Sequence, residues 1–290
     1  MSWRTVIVSH SCKLDYKMGY LVVRSDEVKK VFLDEIAVLL IEDPAVALTG
    51  CLIEALTEKK IKTIFCDSKK NPVAELIPHH GSHDSSLKIR TQFAWPDHIK
   101  ASIWQEIVAE KIRKQAEFLE EIEKRKESRL LQTYIGQVEG LDASNREGHA
   151  AKVYFNALFG MGFTRSADNA TNAALNYGYS LILSTMNRVV SVAGYLTQLG
   201  IFHNNMFNYY NLSCDLMEPY RVLVDRYVYS HPNESFGVEE KHAIWGILNQ
   251  EVVIDGRRQT VLNALKIFAY SVFDAISDQD CGKILHYQLK

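Results

Sequence analysis

The hydrophobic pattern of this chain changes period once, near residue 78, and that change restricts it to a mixed fold. Up to about residue 77, β-branched and aliphatic residues gather in strand-length runs: Thr5 to Val8, Gly19 to Val23, Val31 to Leu33, Ile36 to Ile41, Thr63 to Cys66 and Val73 to Ile77. Turn-forming or charged residues separate most of them. Within this β-rich region, TGCLIEALTEKK (49–60) sets Leu52, Ile53 and Leu56 at helical spacing behind Thr49, a natural N-cap, so one helix is expected between two strands.

From Trp95 onward the strand signals fade. Over 99–131, Ile103, Ile107, Ile112, Phe118, Leu119 and Ile122 recur among mixed charges, which predicts a solvent-facing amphipathic helix. Further helices are expected at about 144–160, 168–198, 217–229, 238–250 and 257–275. Between the two patterns, PHHGSHDSSL (78–87) has the composition of a linker. The fold class is therefore α+β in two domains: a small β-rich domain over 1–78, a linker over 79–94 and a larger all-α domain over 95–290.

With 290 residues, 47% of them hydrophobic, the chain can bury a core without disulfides. Its five cysteines are odd in number, scattered and free of any C-x-x-C pair, the usage of reduced thiols in a cytoplasmic protein. The N-terminus MSWRTVIVSHS lacks the features of a signal peptide. The most apolar later run, SLILSTMNRVVSVAGYL, is interrupted by Asn187 and Arg188, so no transmembrane helix is expected. The net charge of −2 neither indicates nor excludes nucleic acid, because local patches set the field at a binding face.

Three stretches carry candidate chemistry. In HHGSHD, His79, His80, His83 and Asp84 resemble metal ligands, and His83-Asp84 suggests an HD-type phosphohydrolase; Gly81 and Ser82 instead favour a solvated linker. In SNREGHAAKVYFNALFG (144–160), Ser144 and Glu147 have capping-box spacing, yet Glu147, Ala151 and Tyr154 share a helix face that could wall a pocket. In GIFHNNMFNYYNLSCDLMEPYR (200–221), Asp215 and Glu218 again have the spacing of an N-cap and its third residue, Pro219 marks a helix start, and Arg221 with Asp225 could form a ladder. Taken together, Glu147, His203 and Glu218 form a ligand set for a hard cation, Mg²⁺ or, given the imidazole, Mn²⁺. Spacing leaves their convergence open.

Four ordered motifs carry a resemblance. NREGHAAKVYF (145–155), NAALNYGYSLIL (172–183), GIFH (200–203) and DLMEPYR (215–221) are similar to those of the CRISPR-associated integrase that captures new spacers, across nearly the whole chain. The Asn-rich stretch after His203 looks most like its type II branch. The resemblance implies a β-sandwich-like N-terminal domain that builds a homodimer, joined to a helical catalytic domain. It implies metal ligands at Glu147, His203 and Glu218 and an acidic companion at Asp215, whose task it leaves open. It further implies a metal-dependent DNA endonuclease and integrase: a DNA 3′-hydroxyl attacks a phosphodiester at the edge of a CRISPR repeat. Expected partners are prespacer and repeat DNA, a small ferredoxin-like CRISPR-associated protein giving a heterohexamer, and, in type II systems, the effector nuclease and an accessory ring protein. Asn172, Asn176 and Tyr177 fall in the asparagine-tyrosine motif. Arg146, Lys152, Arg165, Asn172 and Tyr177 are candidates for DNA contact, as are Lys100, Lys111, Arg113 and Lys114. The alternatives are a non-catalytic DNA-binding scaffold, in which the acids are helix caps, and the HD-type phosphohydrolase.

Overall fold

A computed structural model describes residues 4–77, 82–232 and 234–289. The chain divides into two compact units, Met1–His83 and Asp84–Lys290.

The first unit holds two four-stranded sheets. Strands β1 (Arg4–Val8), β2 (Lys13–Lys17), β3 (Tyr20–Arg24), β4 (Val28–Phe32), β5 (Ile36–Ile41) and β6 (Ala47–Leu48) are followed by helix α1 (Gly50–Glu58), β7 (Lys62–Cys66) and β8 (Pro72–Leu76). One sheet runs β1-β5-β7-β8, the other β4-β3-β2-β6. In the first, β5 pairs parallel with β1 and β7, and all six of its residues are buried, so its apolar run is continuous rather than alternating. Leu14 and Leu21 from one sheet, Leu39 and Ile41 from the other and Leu52 and Leu56 from α1 share one core. Thr49 caps α1 as expected, accepting the amide of Leu52. Strands β2 and β6 carry no sequence signal of their own; in KLDYK only Leu14 is fully buried.

The second unit begins with α2 (Ser85–Phe93), a helix where the sequence reads as linker. His83 and Asp84 lie just before it; His79 and His80 lie outside the described residues. Then come α3 (Asp97–Glu121), α4 (Arg125–Ile135), α5 (Arg146–Phe159), α6 (Ala170–Ala193), α7 (Asn211–Met217), α8 (Arg221–Ser230), α9 (Val238–Ile244), β9 (Glu251–Ile254), β10 (Arg257–Thr260) and α10 (Val261–Asp278). The expected single helix over 99–131 is two, because Glu123 turns left-handed at φ 63°. The expected helix starting at 257 is a strand there. Asp255 and Gly256, both with positive φ, close a β9–β10 hairpin through a D-G turn, and α10 follows, capped by Thr260.

Helix α3 is the centre of this unit and packs against α4, α5, α8 and α10. It is not the solvent-facing helix its charges suggested. Ile103, Trp104, Ile107 and Ile112 are fully buried, and so are Glu110 and Lys114 almost completely. Those charges tolerate burial because they pair: Lys114 reaches Glu110 at 3.3 Å and Glu117 at 2.8 Å. Among the described residues no helix is long and apolar enough to cross a membrane.

Candidate metal centre

Glu147 and Glu218 come from separate segments to meet Lys111 of α3, and the charges of both carboxylates reach His203 on a third. Glu147 stands in the first turn of α5. Its expected capping box with Ser144 is not formed: Asn145 adopts a left-handed conformation at φ 52°, and Ser144 donates instead to the Gln137 carbonyl. Asp142 caps the helix, accepting the amides of Arg146 at 2.8 Å and Glu147 at 3.0 Å. The Glu147 side chain is thereby released from local work and meets the Lys111 ammonium at 2.6 Å.

Glu218 begins a 3-10 turn, Glu218–Tyr220, that joins α7 to α8. Pro219 sits in that turn, where its missing N–H costs little. Glu218 is 2% exposed. Oε2 takes a bond from Lys111 at 2.5 Å and Oε1 one from Arg221 Nε at 3.0 Å. Burial pushes the Glu218 carboxyl up, but the Lys111 and Arg221 charges outweigh it and hold the group below its ordinary value. Burial likewise works against the Lys111 ammonium, which Glu218 and Glu147 nevertheless raise. Arg221 thus pairs with Glu218, not in the expected ladder with Asp225; its guanidinium lies 4.7 Å from the Tyr179 ring centroid. Asp225 accepts from the Tyr179 hydroxyl.

His203 hangs on the loop between α6 and α7. Asparagines hold the shape of that loop: Asn211, the first residue of α7, donates to the carbonyls of Gln198 and Asn205, while Asn205 and Asn208 accept the amides of Phe207 and Tyr210. Asp215, wholly buried in α7, is not a cap of its own helix. It accepts the amides of Ile201 (2.6 Å), Phe202 (3.1 Å) and His203 (3.1 Å), and its Oδ1 lies 2.6 Å from His203 Nδ1. A carboxylate only accepts, so Nδ1 carries the proton and Nε2 is the nitrogen able to take a ligand. The Asp215 bond raises the imidazole above its ordinary value, and the Glu218 and Glu147 charges add to this. Gly200 allows the loop to come this close: a Cβ there would sit 2.3 Å from the His203 carbonyl and 2.8 Å from Asp215 Oδ2. Beside His203 opens a cleft of about 590 Å³, lined among others by Gln92, Lys100, Phe202 and Asn204.

The donor set suits a hard divalent cation, with two carboxylates and an imidazole oriented by a buried aspartate. Glu147 and Glu218 meet with the Lys111 ammonium between them, and His203 lies within the influence of both charges. The described residues whose carboxylate and imidazole atoms already lie within 4.8 Å of one another are Glu106, Glu110 and His286. Sequence reasoning missed that group; Glu106 and Glu110 are one helical turn apart on α3, but nothing links them to His286. His286 Nε2 lies 3.0 Å from Glu106, and Glu110 is already neutralised by Arg113 and Lys114.

The other candidates divide by exposure. Lys152 is exposed, and half-buried Arg146 stacks 5.5 Å over Tyr134. Arg165 donates to Asn172 and Asn176. Asn172 is buried and donates to the carbonyls of Thr164 and Ala167, each at 2.8 Å. Tyr177, also buried, accepts from the Trp245 indole at 3.0 Å. Asn172 and Tyr177 thus spend their polar groups on neighbouring segments of the same unit. Lys100 pairs with Asp97, and Arg113 with Glu110.

Residues 5–241 match the family model described as CRISPR associated protein Cas1. The CRISPR-associated endonuclease Cas1 of Neisseria meningitidis serogroup C (strain 8013) is 34% identical over 226 residues, 78% of this chain and 74% of that protein. Among solved structures, a casposase bound to integration product superposes with a TM-score of 0.75 at 16% identity, covering 97% of this chain and 92% of that one. A Cas6-RT-Cas1–Cas2 complex gives 0.72 at 17% identity, covering 97% of this chain and 36% of that longer one. At such identities the structural likeness establishes the fold, while the family match and the Neisseria relative establish descent: the chain belongs to the CRISPR-associated Cas1 family.

Proposed function

We propose that this Cas1-family protein is a metal-dependent DNA endonuclease and integrase that inserts captured DNA as new spacers into a CRISPR array. The observation that carries the reading is that Glu147 and Glu218, 71 residues apart in sequence, meet at a single point, the Lys111 ammonium, with His203 inside their field. Glu147, Glu218 and His203 Nε2 would hold Mg²⁺ or Mn²⁺. When bound, the ion supplies charge to a phosphodiester, favouring attack on phosphorus and departure of the leaving oxygen. Asp215 fixes the His203 tautomer and ring plane, and Arg221 holds the far oxygen of Glu218. The cleft beside His203, with Lys100 and Asn204 on its wall, is the place for the DNA backbone. With a DNA 3′-hydroxyl as nucleophile the outcome is transesterification; with water it is cleavage.

The family's complexes support a second Cas protein and DNA as partners. The finer reading is a homodimer built through the N-terminal unit, bridged by a small ferredoxin-like protein into a heterohexamer. In a type II setting the effector nuclease and a ring protein join it, in the cytoplasm. The scaffold alternative loses its support at Glu147, because the cap is Asp142. In strand-transfer assays on a repeat-bearing plasmid with Mn²⁺, Glu147→Ala and His203→Ala should each abolish product while leaving the circular dichroism spectrum intact. Near-normal product from both would overturn the reading.

A further inference from the structure

The Lys111 ammonium occupies the same lone pairs a cation would need. It lies 2.6 Å from Glu147 Oε1 and 2.5 Å from Glu218 Oε2. It comes from the middle of α3 and is itself 8% exposed. The pairing is charge-balanced, two carboxylates against Lys111 and Arg221, so the cluster satisfies itself. Arg221, however, uses the opposite oxygen of Glu218, does not touch Glu147, and need not move. Among the described residues, Lys111 alone bridges the pair. A divalent ion bound by both carboxylates would meet that ammonium at contact distance in a shielded site, where like charges repel strongly. Four rotatable side-chain bonds let the ammonium swing aside without moving α3.

We propose that Lys111 is an internal competitor for the metal: it holds Glu147 and Glu218 together, yields their oxygens when Mg²⁺ or Mn²⁺ enters, and then turns its freed charge toward a DNA phosphate. The proposal rests on the metal reading above. It makes metal and DNA binding mutually dependent. The ion alone must displace a buried cation that lacks another anion, whereas a phosphodiester in the cleft offers the displaced ammonium a partner. Lys111 is on this account a residue that sets metal affinity, not one that ligates.

The test is a Mn²⁺ titration of the full chain followed by electron paramagnetic resonance, with and without a DNA duplex. Lys111→Met, similar in length but uncharged, should bind Mn²⁺ at least about tenfold more tightly than wild type without DNA. DNA should tighten Mn²⁺ binding to wild type, and that gain should shrink in Lys111→Met. Lys111→Arg should stay at or below wild-type affinity. Lys111→Gln carries the same test should the methionine variant fold poorly; its melting temperature should rise on Mn²⁺ addition more than that of wild type. Unchanged or weaker Mn²⁺ binding in the neutral variants, with binding lost in Glu147→Gln, would overturn the role of Lys111 alone. Mn²⁺ binding equal in wild type, Lys111→Met and Glu147→Gln would overturn the metal reading and with it this one.

Discussion

Asp215 holds His203 by both its backbone and its ring: Oδ1 lies 2.6 Å from Nδ1 and 3.1 Å from the amide of the same residue. One carboxylate therefore sets where the residue stands and which way its ring faces. Replacing it with the isosteric amide turns one acceptor into a donor facing the Ile201 and Phe202 amides or the ring. Asp215→Asn should cost about 1–3 kcal/mol of stability, the penalty for buried donors left unmet. It should also reduce strand transfer far more than its stability loss explains, measured by urea denaturation beside single-turnover integration. Wild-type activity at wild-type stability would show that the His203 ring needs no such anchor.

The same bond fixes a pH dependence with two opposite limbs. The Asp215 contact raises His203 above its ordinary 6.5, and only the neutral ring can ligate a metal. Mn²⁺ affinity and strand transfer should therefore fall as pH drops through a midpoint above 6.5. The stability contributed by the protonated ring behaves the other way: it is fully present below 6.5 and is lost as pH rises through the raised value. Thermal melts in EDTA and integration rates, taken over one pH series, should cross, and His203→Gln should flatten both. A rate constant down to pH 5 would contradict the imidazole as ligand.

Gly200 has no room for a methyl group. With its Cβ 2.3 Å from the His203 carbonyl, Gly200→Ala must push the His203 loop away from Asp215. The expected cost is about 1–3 kcal/mol from overpacking, with weaker Mn²⁺ binding. A crystal structure of the variant with an unmoved loop would refute this.

Asp225 is a buried carboxyl behind the site. Burial lifts it from 3.8 to about 6, even though Tyr179 donates to it. The fold keeps that proton at pH values where the unfolded chain has released it. Stability should then decline as pH rises from 3.8 through 6, by roughly 3 kcal/mol for this group. Asp225→Asn should remove that part of the pH dependence and be the more stable protein at pH 7.5. Parallel denaturation curves for the two proteins across pH 4 to 8 would contradict it.

How far the sequence reveals this molecule depends on the range of each interaction. Thr49 and Thr260 cap their helices through a bond three residues ahead, and the Thr49 cap is readable locally. Ser144 shows the limit of such reading: left-handed Asn145 removes it from the cap position and Asp142 takes over. The charges of α3 looked solvated because their partners are not all neighbours. Lys111 finds its two carboxylates 36 and 107 residues away, which no periodicity encodes. Glu147, His203 and Glu218 were legible as a set only through the chemistry they share and the family motifs around them. The β9–β10 hairpin was marked by Asp255-Gly256, a turn signal that an expectation of continuous helix passed over.

Trp104, buried in α3, stacks on Phe202 at 4.4 Å between centroids and 7° between planes, and meets the His203 ring edge-on at 5.6 Å. Phe202 itself is 40% exposed at the cleft. The indole therefore joins the interior to the His203 loop, and a shift of that loop would change the surroundings of its emitting ring. With Trp104 replaced by Phe, the loss from the emission of the four tryptophans would isolate the light of the one that touches the imidazole.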